Sequence, residues 1–372
     1  MTCETVSRRE TYLDWNATAP LRPEAAAAIA GALALGGNPS SVHRRGCAAR
    51  QLVERSREQV AALVGASPDG VVFTSGGTEA NHLALIGSGR ARLLVSSVEH
   101  SSALQAVPDA ERIPVDANGI VDPNGLVALL ATDNRPALVS VMLANNETGV
   151  IHPAHQLAAI AHAHGALFHC DAVQAAGKIP VFFAEIGADF LTLSAHKIGG
   201  PTGVGALILA PDAEIAPQLR GGGQERYRRA GTENLAGIAG FAAAARACDP
   251  GEYQRVRVLR DRLEAALPSD AVVIGADVAR LPNTTAIAMP GVAAETQIIA
   301  LDLDGVMVSA GAACSSGKVG PSHVLAAMGV APDIADGTIR VSLGWSTSEA
   351  DIAHFIDAWT ALYRRMRSRR AA

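Results

Sequence analysis

The sequence predicts an α/β fold, with a large domain built on a mostly parallel sheet and a smaller α+β domain after it. Apolar runs of strand length alternate with helical stretches between residues 71 and 209. Polar clusters follow these strands directly, which is where open α/β sheets bind their ligands. The sequence pattern changes near 249–251, where an expected charged helix is followed by expected short strands. We therefore assign the large domain to 21–250 and the small domain to 251–372, and we expect segment 1–20 to pack with the small domain.

The elements can be placed one by one from local patterns. An alanine-rich stretch and a stretch of good helix formers with mixed charge open the large domain, and the later helices lie between apolar runs. The expected helices are 22–35, 45–64, 153–164 and 253–267. The expected strands are 71–74, 93–96, 138–142, 167–169, 190–193, 204–209, 272–274, 284–289, 306–309 and 338–343.

Composition excludes several functional classes. Apolar residues make up 49% of the chain and charged residues 18%, which is typical of a globular protein. A net charge of −5 gives no general attraction to nucleic acid or to an anionic membrane. No apolar run approaches the roughly 20 residues that span a bilayer, and the first residues lack the apolar core of a signal peptide. We therefore predict a cytoplasmic protein, whose five scattered cysteines are free thiols.

Five polar clusters are expected to meet at one edge of the sheet. They are 75–78, 99–100, 145–147, 171–174 and 194–197. Lys197 lies between two apolar runs, and burial disfavours its ammonium form, although a lysine at a strand end can also reach water. The sequence Ser-Gly-Gly-Thr at 75–78 could hold an anion at a helix N-terminus or be an ordinary turn, and it matches neither a Walker A loop nor GxGxxG.

Together these groups suit one cofactor. Pyridoxal phosphate needs a lysine for covalent attachment, a carboxylate beside its ring nitrogen, an anion site for its phosphate and a flat group against its ring. Lys197, Asp171, residues 75–78 and His100 are candidates for these functions, in that order.

The chain also resembles the cysteine desulfurases of the class-V aminotransferase family over nearly its whole length. The motifs that carry the resemblance are YLDWNATAP, GGNPSSVH, VFTSGGTEANHLAL, VEHSSAL, VSVMLANNETG, FHCDAVQAAGK, LSAHKIGGPTGVGAL, RGGGQERYRRAGTEN, LPNTTAI, SAGAACSSG and IRVSLG. ANNETG and FHCDAVQ resemble the branch that includes nitrogenase-associated and housekeeping enzymes. The resemblance implies fold type I, with a seven-stranded sheet and a homodimer.

The resemblance also implies a function for individual residues. It makes Lys197 the attachment point of the cofactor, Asp171 the partner of its ring nitrogen and His100 both a stacking group and an acid/base. The remaining cofactor-binding residues that it implies are Gly77, Thr78, Asn146, Gln174, Ser194, His196 and, toward the partner subunit's phosphate, Thr232. Asn38, Asn146 and Arg340 are expected around the substrate carboxylate.

Cys314 is the expected nucleophile. It lies in SAGAACSSGKVGPSH, which is dense in glycine and serine and has no apolar periodicity, as is typical of a mobile loop. The implied reaction converts L-cysteine to L-alanine, leaves a persulfide on Cys314 and passes the sulfur to an acceptor or iron–sulfur scaffold protein. No nucleic acid and no membrane takes part.

Alternatives remain open at this point. A selenocysteine lyase or another class-V enzyme would share most of these residues, and a scaffold for sulfur assembly would need no intact cofactor site. A metal site is not expected, because the spacing matches no zinc pattern in the histidine-rich stretch that contains His152, His155, His162, His164 and His169. Trp15 and Trp345 depart from the family pattern and leave the substrate preference open.

Overall fold

A computed structural model describes residues 9–249, 251–311 and 322–371, with only the helical backbone for 369–371. The strands are Thr11–Tyr12 (β1), Val71–Thr74 (β2), Arg92–Ser96 (β3), Glu111–Ile113 (β4), Ala137–Met142 (β5), Leu167–Asp171 (β6), Phe190–Ser194 (β7), Gly205–Leu209 (β8), Val272–Val273 (β9), Thr284–Ala288 (β10), Val306–Met307 (β11), Ser309–Ala310 (β12) and Thr338–Ser342 (β13).

Helices connect these strands. The α-helices are Pro23–Leu35 (α1), Arg44–Leu63 (α2), Gly77–Gly87 (α3), Ser101–Leu104 (α4), Pro123–Leu130 (α5), Ala154–Ala163 (α6), Phe183–Ile186 (α7), Leu235–Ala247 (α8), Glu252–Ala265 (α9), Ala294–Leu303 (α10), His323–Ala327 (α11), Pro332–Asp336 (α12) and Glu349–Ala371 (α13). Shorter 3₁₀ turns are Pro68–Gly70, Ala195–Lys197 and Gln224–Tyr227.

The large sheet has seven strands in the order β2-β8-β7-β6-β5-β3-β4. Strands β4, β3, β5, β6 and β7 pair in parallel, and β8 is antiparallel to both β7 and β2. Because β2 opposes β8, it points the same way as the parallel strands. Six strands therefore end at one edge, and the predicted mostly parallel seven-stranded sheet is confirmed.

Both faces of this sheet are covered. Successive side chains of a strand point to opposite faces, and in β5 Val139 and Val141 join one apolar cluster while Leu138 joins another. The first cluster includes side chains of α2, α6 and α8, and the second includes side chains of α3. Burial on both faces explains why the strands read as continuous apolar runs in the sequence.

A second, antiparallel sheet, β12-β13-β10-β9, forms the core of the C-terminal part. Its apolar side chains pack with those of α9, α10 and α13. The N-terminal stretch joins this part of the molecule, because β1 pairs in parallel with β11 and Asp14 bridges to Ser342. The domain limits at residues 20 and 250 stay a prediction.

The sequence-based prediction differs from the structure in several details. Strand β4 and helix α5 were not predicted, because β4 is a three-residue edge strand that carries two charges and α5 has only eight residues. The predicted strand 306–309 is two strands in different sheets, since β11 pairs with β1 and β12 pairs with β13. Within the described ranges, no helix combines the length and the apolar character needed to cross a membrane.

Buried histidines give the fold a predicted sensitivity to acid. His169 is fully buried between the hydroxyl groups of Ser140 and Thr192, both 2.9 Å away, and burial lowers its pKa to about 4. The unfolded chain takes up this proton near pH 6.5, so the stabilisation is complete above pH 6.5 and is lost as the pH falls toward 4. We expect the loss to be roughly 3 kcal/mol for this one side chain.

Urea unfolding of the apoprotein at pH 7, 6 and 5 measures this effect. His169→Gln should weaken the pH dependence of the free energy of unfolding without abolishing it, because burial also lowers the pKa of His152 to about 4. His82→Gln, at an exposed position on α3, is the control. An unchanged slope in His169→Gln would contradict the explanation.

Candidate active site

A cavity of about 280 Å³ lies at the edge where the parallel strands end. Its lining comes from the segments that follow the strands of the large sheet, from the N-terminal stretch and from β13. Its lining is Asn16, Ala17, Gly77, Thr78, Asn81, His100, Ser102, Met142, Ala144, Asn146, Asp171, Val173, Gln174, Ser194, His196, Lys197 and Arg340. Ten of these residues were predicted from the sequence, and the structure brings those ten together.

One end of the cavity suits a phosphate group. Helix α3 begins there at Gly77, and no side chain caps its first turn, so backbone N–H groups and the positive end of the helix dipole face the cavity. A Cβ atom at Gly77 would lie 3.0 Å from Val173 Cγ2, so a larger residue would require Val173 to shift. Thr78, Ser194 and His196 add polar side chains around the same place.

Asp171 is fixed at the carboxyl end of β6 by a chain of hydrogen bonds. Asn81 Nδ2 donates to Asp171 Oδ2 at 2.7 Å and to Ser102 Oγ at 2.9 Å, and the backbone N–H of Val173 donates to Asp171 Oδ1 at 2.9 Å. Ser102 continues the chain to His100, whose Nδ1 lies 2.8 Å from Ser102 Oγ. The carboxylate and the imidazole are therefore held by one network.

This network also fixes the proton of His100. The backbone N–H of Ser102 donates to His100 Nδ1 at 3.1 Å, so Nδ1 is an acceptor and the neutral ring carries its proton on Nε2. Burial lowers the pKa of His100, and the charge of Lys197 adds to that effect while Asp171 opposes it. Burial and the charges of Lys197 and Lys178 likewise lower the pKa of His196 to about 4. Both rings are therefore neutral near pH 7.

Lys197 follows β7 in a short 3₁₀ turn before the antiparallel strand β8. Its Nζ donates to the backbone oxygens of Asn16 at 2.6 Å and Ala17 at 2.7 Å. The amine thus points away from the sheet toward the N-terminal stretch, at the strand end next to Asp171. The predicted position of a lysine between two buried strands is confirmed.

Asn16 connects both sheets with the cavity and is 1% exposed. Its backbone oxygen also accepts a hydrogen bond from Gln174 Nε2 at 3.0 Å. Its side chain donates to the backbone oxygen of Asn146 and to Thr284 Oγ1, and accepts from Lys178 and from Asn283 of the C-terminal part. The wall of the cavity opposite the large sheet is therefore built by the N-terminal stretch.

Arg340, from the middle of β13, brings a cation to this wall. Its Nη2 donates to Asp14 Oδ1 at 2.7 Å and its Nη1 donates to the backbone oxygen of Asn146 at 3.1 Å. Its buried Nε has no hydrogen-bond partner among the described residues. A guanidinium with donor capacity to spare at a cavity wall is suited to bind a carboxylate.

Trp15 and Trp345, two of the departures from the family pattern, contact each other. Their rings meet edge to face with centroids 4.6 Å apart, and the guanidinium of Arg22 lies 3.9 Å from the centroid of the Trp345 ring. Trp15 is buried, with its Nε1 donating to the backbone oxygen of Tyr12. The contact between the two rings therefore holds the N-terminal stretch in place directly before Asn16, and neither ring lines the cavity.

Two of the predicted site residues lie elsewhere, and a third is outside the described part of the chain. Asn38 and Thr232 are exposed and do not line the cavity. The Asn38 side chain accepts a hydrogen bond from the backbone N–H of Ser40, and Thr232 lies in a separate surface depression with Ser75. Cys314 lies outside the described residues. The functions assigned to these three residues stay predictions.

The sequence analysis did not identify Asn16, Asn81 and Ser102 as site residues. A signal for Asn81 was present, because it is a polar residue on an otherwise apolar face of α3. Ser102 stands in the first turn of the short helix that His100 caps. Asn16 had no local signal, since its partners lie 130 to 268 residues away in the sequence.

Four of the five histidines in the histidine-rich stretch bond to groups of the protein. His162 pairs with Asp189, His169 bonds to two hydroxyl groups, and His155 and His164 bond to backbone oxygens. Among the residues that the structure describes, no three His, Cys, Asp or Glu side chains gather as metal ligands would.

The donors and acceptors of the cavity fit pyridoxal phosphate. An uncapped helix N-terminus with three polar side chains suits the phosphate, and the fixed carboxylate of Asp171 suits a protonated ring nitrogen. Lys197 supplies an amine for covalent attachment, and His100 supplies a flat ring in the same cavity. Gln174 points its amide N–H group toward the same wall.

Comparison with known proteins gives a consistent family. The model of the family described as Aminotransferase class-V matches residues 11–355. The chain is 40% identical to a protein of Dictyoglomus turgidum named Cysteine desulfurase IscS, over 97% of this chain and 96% of that one. It is 43% identical to a Cysteine desulfurase of Cereibacter sphaeroides, over 96% of each chain. Among solved structures, a NifS-like protein from Rickettsia africae superposes with a TM-score of 0.89 at 36% identity, covering 96% of this chain and all of that one.

Proposed function

This chain belongs to the class-V aminotransferase family, and we propose that it is a cysteine desulfurase, a sulfurtransferase that converts L-cysteine to L-alanine. Members of this family depend on pyridoxal phosphate and have fold type I, the architecture described above. The observation that carries the proposal is the meeting of Lys197 and Asp171 at neighbouring strand ends, in a cavity that also holds Arg340.

Each residue of the cavity then has a function. Lys197, His100, Asp171, Gln174, Asn146, Gly77, Thr78, Ser194 and His196 would hold the cofactor. When bound, pyridoxal phosphate supplies an electron sink for the negative charge that develops at the substrate Cα. The Lys197 amine would accept the Cα proton and return it, which its position in the lining of the cavity favours. Asp171 keeps a proton on the ring nitrogen that it faces.

The substrate is bound by its own charges. Arg340 binds the carboxylate, with Asn146 beside it, and Asp14 and the backbone oxygen of Asn146 hold the guanidinium in place. We also assign Asn38 to the carboxylate, although it lies outside the cavity in a single chain. His100 holds a proton at Nε2, where it can be exchanged with the substrate.

The sulfur step uses Cys314. Its thiolate attacks the sulfur of bound L-cysteine, a sulfur–sulfur bond forms, and the Cβ–S bond breaks with its electron pair left on carbon. Protonation of that carbon gives L-alanine, and the persulfide on Cys314 passes its sulfur to an acceptor protein for iron–sulfur clusters or related cofactors. The two described residues that flank the Cys314 segment both lie at Glu147, because Ser322 Oγ donates to Glu147 Oε2 at 2.6 Å and a Cβ atom at Gly311 would meet the same oxygen.

We further propose a cytoplasmic homodimer in which Thr232 reaches the cofactor phosphate of the other subunit. The segment around it supports an interface. Glu225, Arg226 and Tyr227 all have positive φ angles, from 45° to 64°, and Tyr227 is 77% exposed. Such strain persists only where the surroundings enforce it. Arg57 holds Glu225 through a buried two-fold ion pair with distances of 2.8 and 3.0 Å.

Incubation of the loaded protein with L-cysteine tests the function. We expect alanine and sulfide in equal amounts when a thiol reductant is present, and alanine with protein-bound persulfide when it is absent. L-selenocysteine and a keto-acid amino acceptor form parallel arms. Turnover of selenocysteine alone would favour a selenocysteine lyase, and keto-acid-dependent transamination would favour an aminotransferase. A protein that binds pyridoxal phosphate but forms no alanine from L-cysteine would contradict the proposal.

A further inference from the structure

Lys178 is a buried lysine beside the cavity that the proposed mechanism does not use. It is 2% exposed and stands one helical turn after Gln174, in the segment that follows β6. Its Nζ donates to Gln174 Oε1 at 2.8 Å and to Asn16 Oδ1 at 3.0 Å. Both of these partners are neutral amide oxygens, whereas a buried cation is ordinarily paired with a carboxylate.

The composition of the chain shows that lysine is a selective choice here. Only three of its 31 basic residues are lysine, at positions 178, 197 and 318, and all others are arginine. Two amide oxygens can satisfy the compact amine of a lysine, but they cannot satisfy the five donors of a guanidinium. A buried site with two acceptors therefore requires the residue type that this chain otherwise avoids.

Lys178 determines how two amide groups are oriented. A lysine amine has three donors and no acceptor in its charged form, and it has two donors in its neutral form, so either state can donate to both amide oxygens that face it. The Gln174 NH₂ group is thereby turned toward the backbone oxygen of Asn16, which also receives Lys197. The Asn16 NH₂ group is turned toward the backbone oxygen of Asn146 at 3.2 Å.

We propose that Lys178 is a positioning residue that orients the amides of Gln174 and Asn16, and through them the cofactor and the carbonyl groups that receive Lys197. This inference rests on the proposed function. Burial lowers the pKa of Lys178 well below its usual value, with the charges of Lys197 and Arg340 adding to the effect. The orientation does not depend on that shift, because both protonation states donate to both oxygens.

A double-mutant cycle with Lys178→Met and Gln174→Ala tests the inference. The measured quantities are the dissociation constant of pyridoxal phosphate from the apoprotein, the visible absorption spectrum of the loaded protein, and kcat and KM for L-cysteine. We expect each single variant to weaken pyridoxal phosphate binding about tenfold and to shift the spectrum. The double variant should lose less than the sum of the two single variants, because residues that act through each other are not additive.

The control distinguishes positioning from general stability. Arg260→Met removes another buried basic side chain, which bonds to Asp261 and the backbone oxygen of Leu281 away from the cavity. It should lower the thermal stability of the apoprotein and leave the dissociation constant and the spectrum unchanged. Lys178→Met should change the thermal stability, the dissociation constant and the spectrum. If it does not fold, Lys178→Gln takes its place, since a glutamine amide can still donate to one of the two oxygens and should give a smaller shift.

The outcomes separate this inference from the function on which it rests. Independent, additive effects of the Lys178 and Gln174 substitutions, or a Lys178 variant that loses stability alone, would overturn the positioning role while the wild-type protein still forms alanine. A wild-type protein that neither binds pyridoxal phosphate nor forms alanine would overturn the proposed function itself.

Discussion

Replacement of Lys197 by alanine is expected to lower alanine formation from L-cysteine by roughly 10⁴-fold or more and to abolish covalent attachment of pyridoxal phosphate. In the proposed mechanism the amine both attaches the cofactor and moves the Cα proton, so one substitution should remove two functions. No other described amine lies at this strand end with the same access, because Nζ of Lys178 is buried against Asn16 and Gln174. Steady-state assays of alanine formation measure the loss.

The attachment point can be assigned chemically. Borohydride reduction of the loaded wild-type protein, followed by proteolysis and mass spectrometry, should place the cofactor on Lys197 and on neither of the other two lysines, Lys178 and Lys318. Arg45→Ala, at an exposed position on α2, is the control and should retain full activity. Reduced cofactor on another lysine, with turnover preserved in Lys197→Ala, would disprove the assignment.

Replacement of Cys314 by serine is expected to abolish sulfide release and alanine formation, by roughly 10³-fold or more, while pyridoxal phosphate binding persists. A serine hydroxyl is a far weaker nucleophile toward sulfur than a thiolate. Two of the described cysteines are poor substitutes, because burial raises the pKa of Cys170 well above its usual value and that of Cys248 to about 11. The variant should still change its visible spectrum when L-cysteine is added.

Cys47→Ser provides the matched control, since Cys47 is an exposed thiol on α2, outside the cavity. It should form alanine and sulfide at the wild-type rate. Mass spectrometry without reductant should find an added sulfur atom on the peptide that contains Cys314, and not on the one that contains Cys47. Normal sulfide release by Cys314→Ser would refute its function.

The large sheet was predictable because both of its faces are covered. Strands buried on two sides appear as unbroken apolar runs, and the polar residues that follow them mark one edge of the sheet. Lys197, Asp171 and His100 were found in this way. Strand β4 escaped detection, because Glu111 and Arg112 give it no apolar run and its pairing with β3 is set by tertiary contacts.

The opposite wall of the cavity could not be derived from local patterns. Asn16 bonds to Asn146, Lys178 and Thr284, which come from three distant parts of the chain. The periodicity of a strand shows which of its own residues share a face, but not which distant residues they contact. A two-residue strand such as β1 is too short to show any periodicity. Trp15 and Trp345 were noticed as departures from the family, but their contact with each other became evident only from the structure.

The parallel pairing of β1 with β11 has a consequence for how the protein is made. Thr11 and Tyr12 can pair only after Val306 and Met307 have been synthesised. Asp14 can likewise contact Arg340 and Ser342 only after those residues have been synthesised. A nascent chain that has just left the ribosome past Lys197 therefore contains this lysine but lacks the completed wall around it. We expect stable capture of the vitamin-derived cofactor to be a late event in biogenesis, after nearly the entire polypeptide has been released.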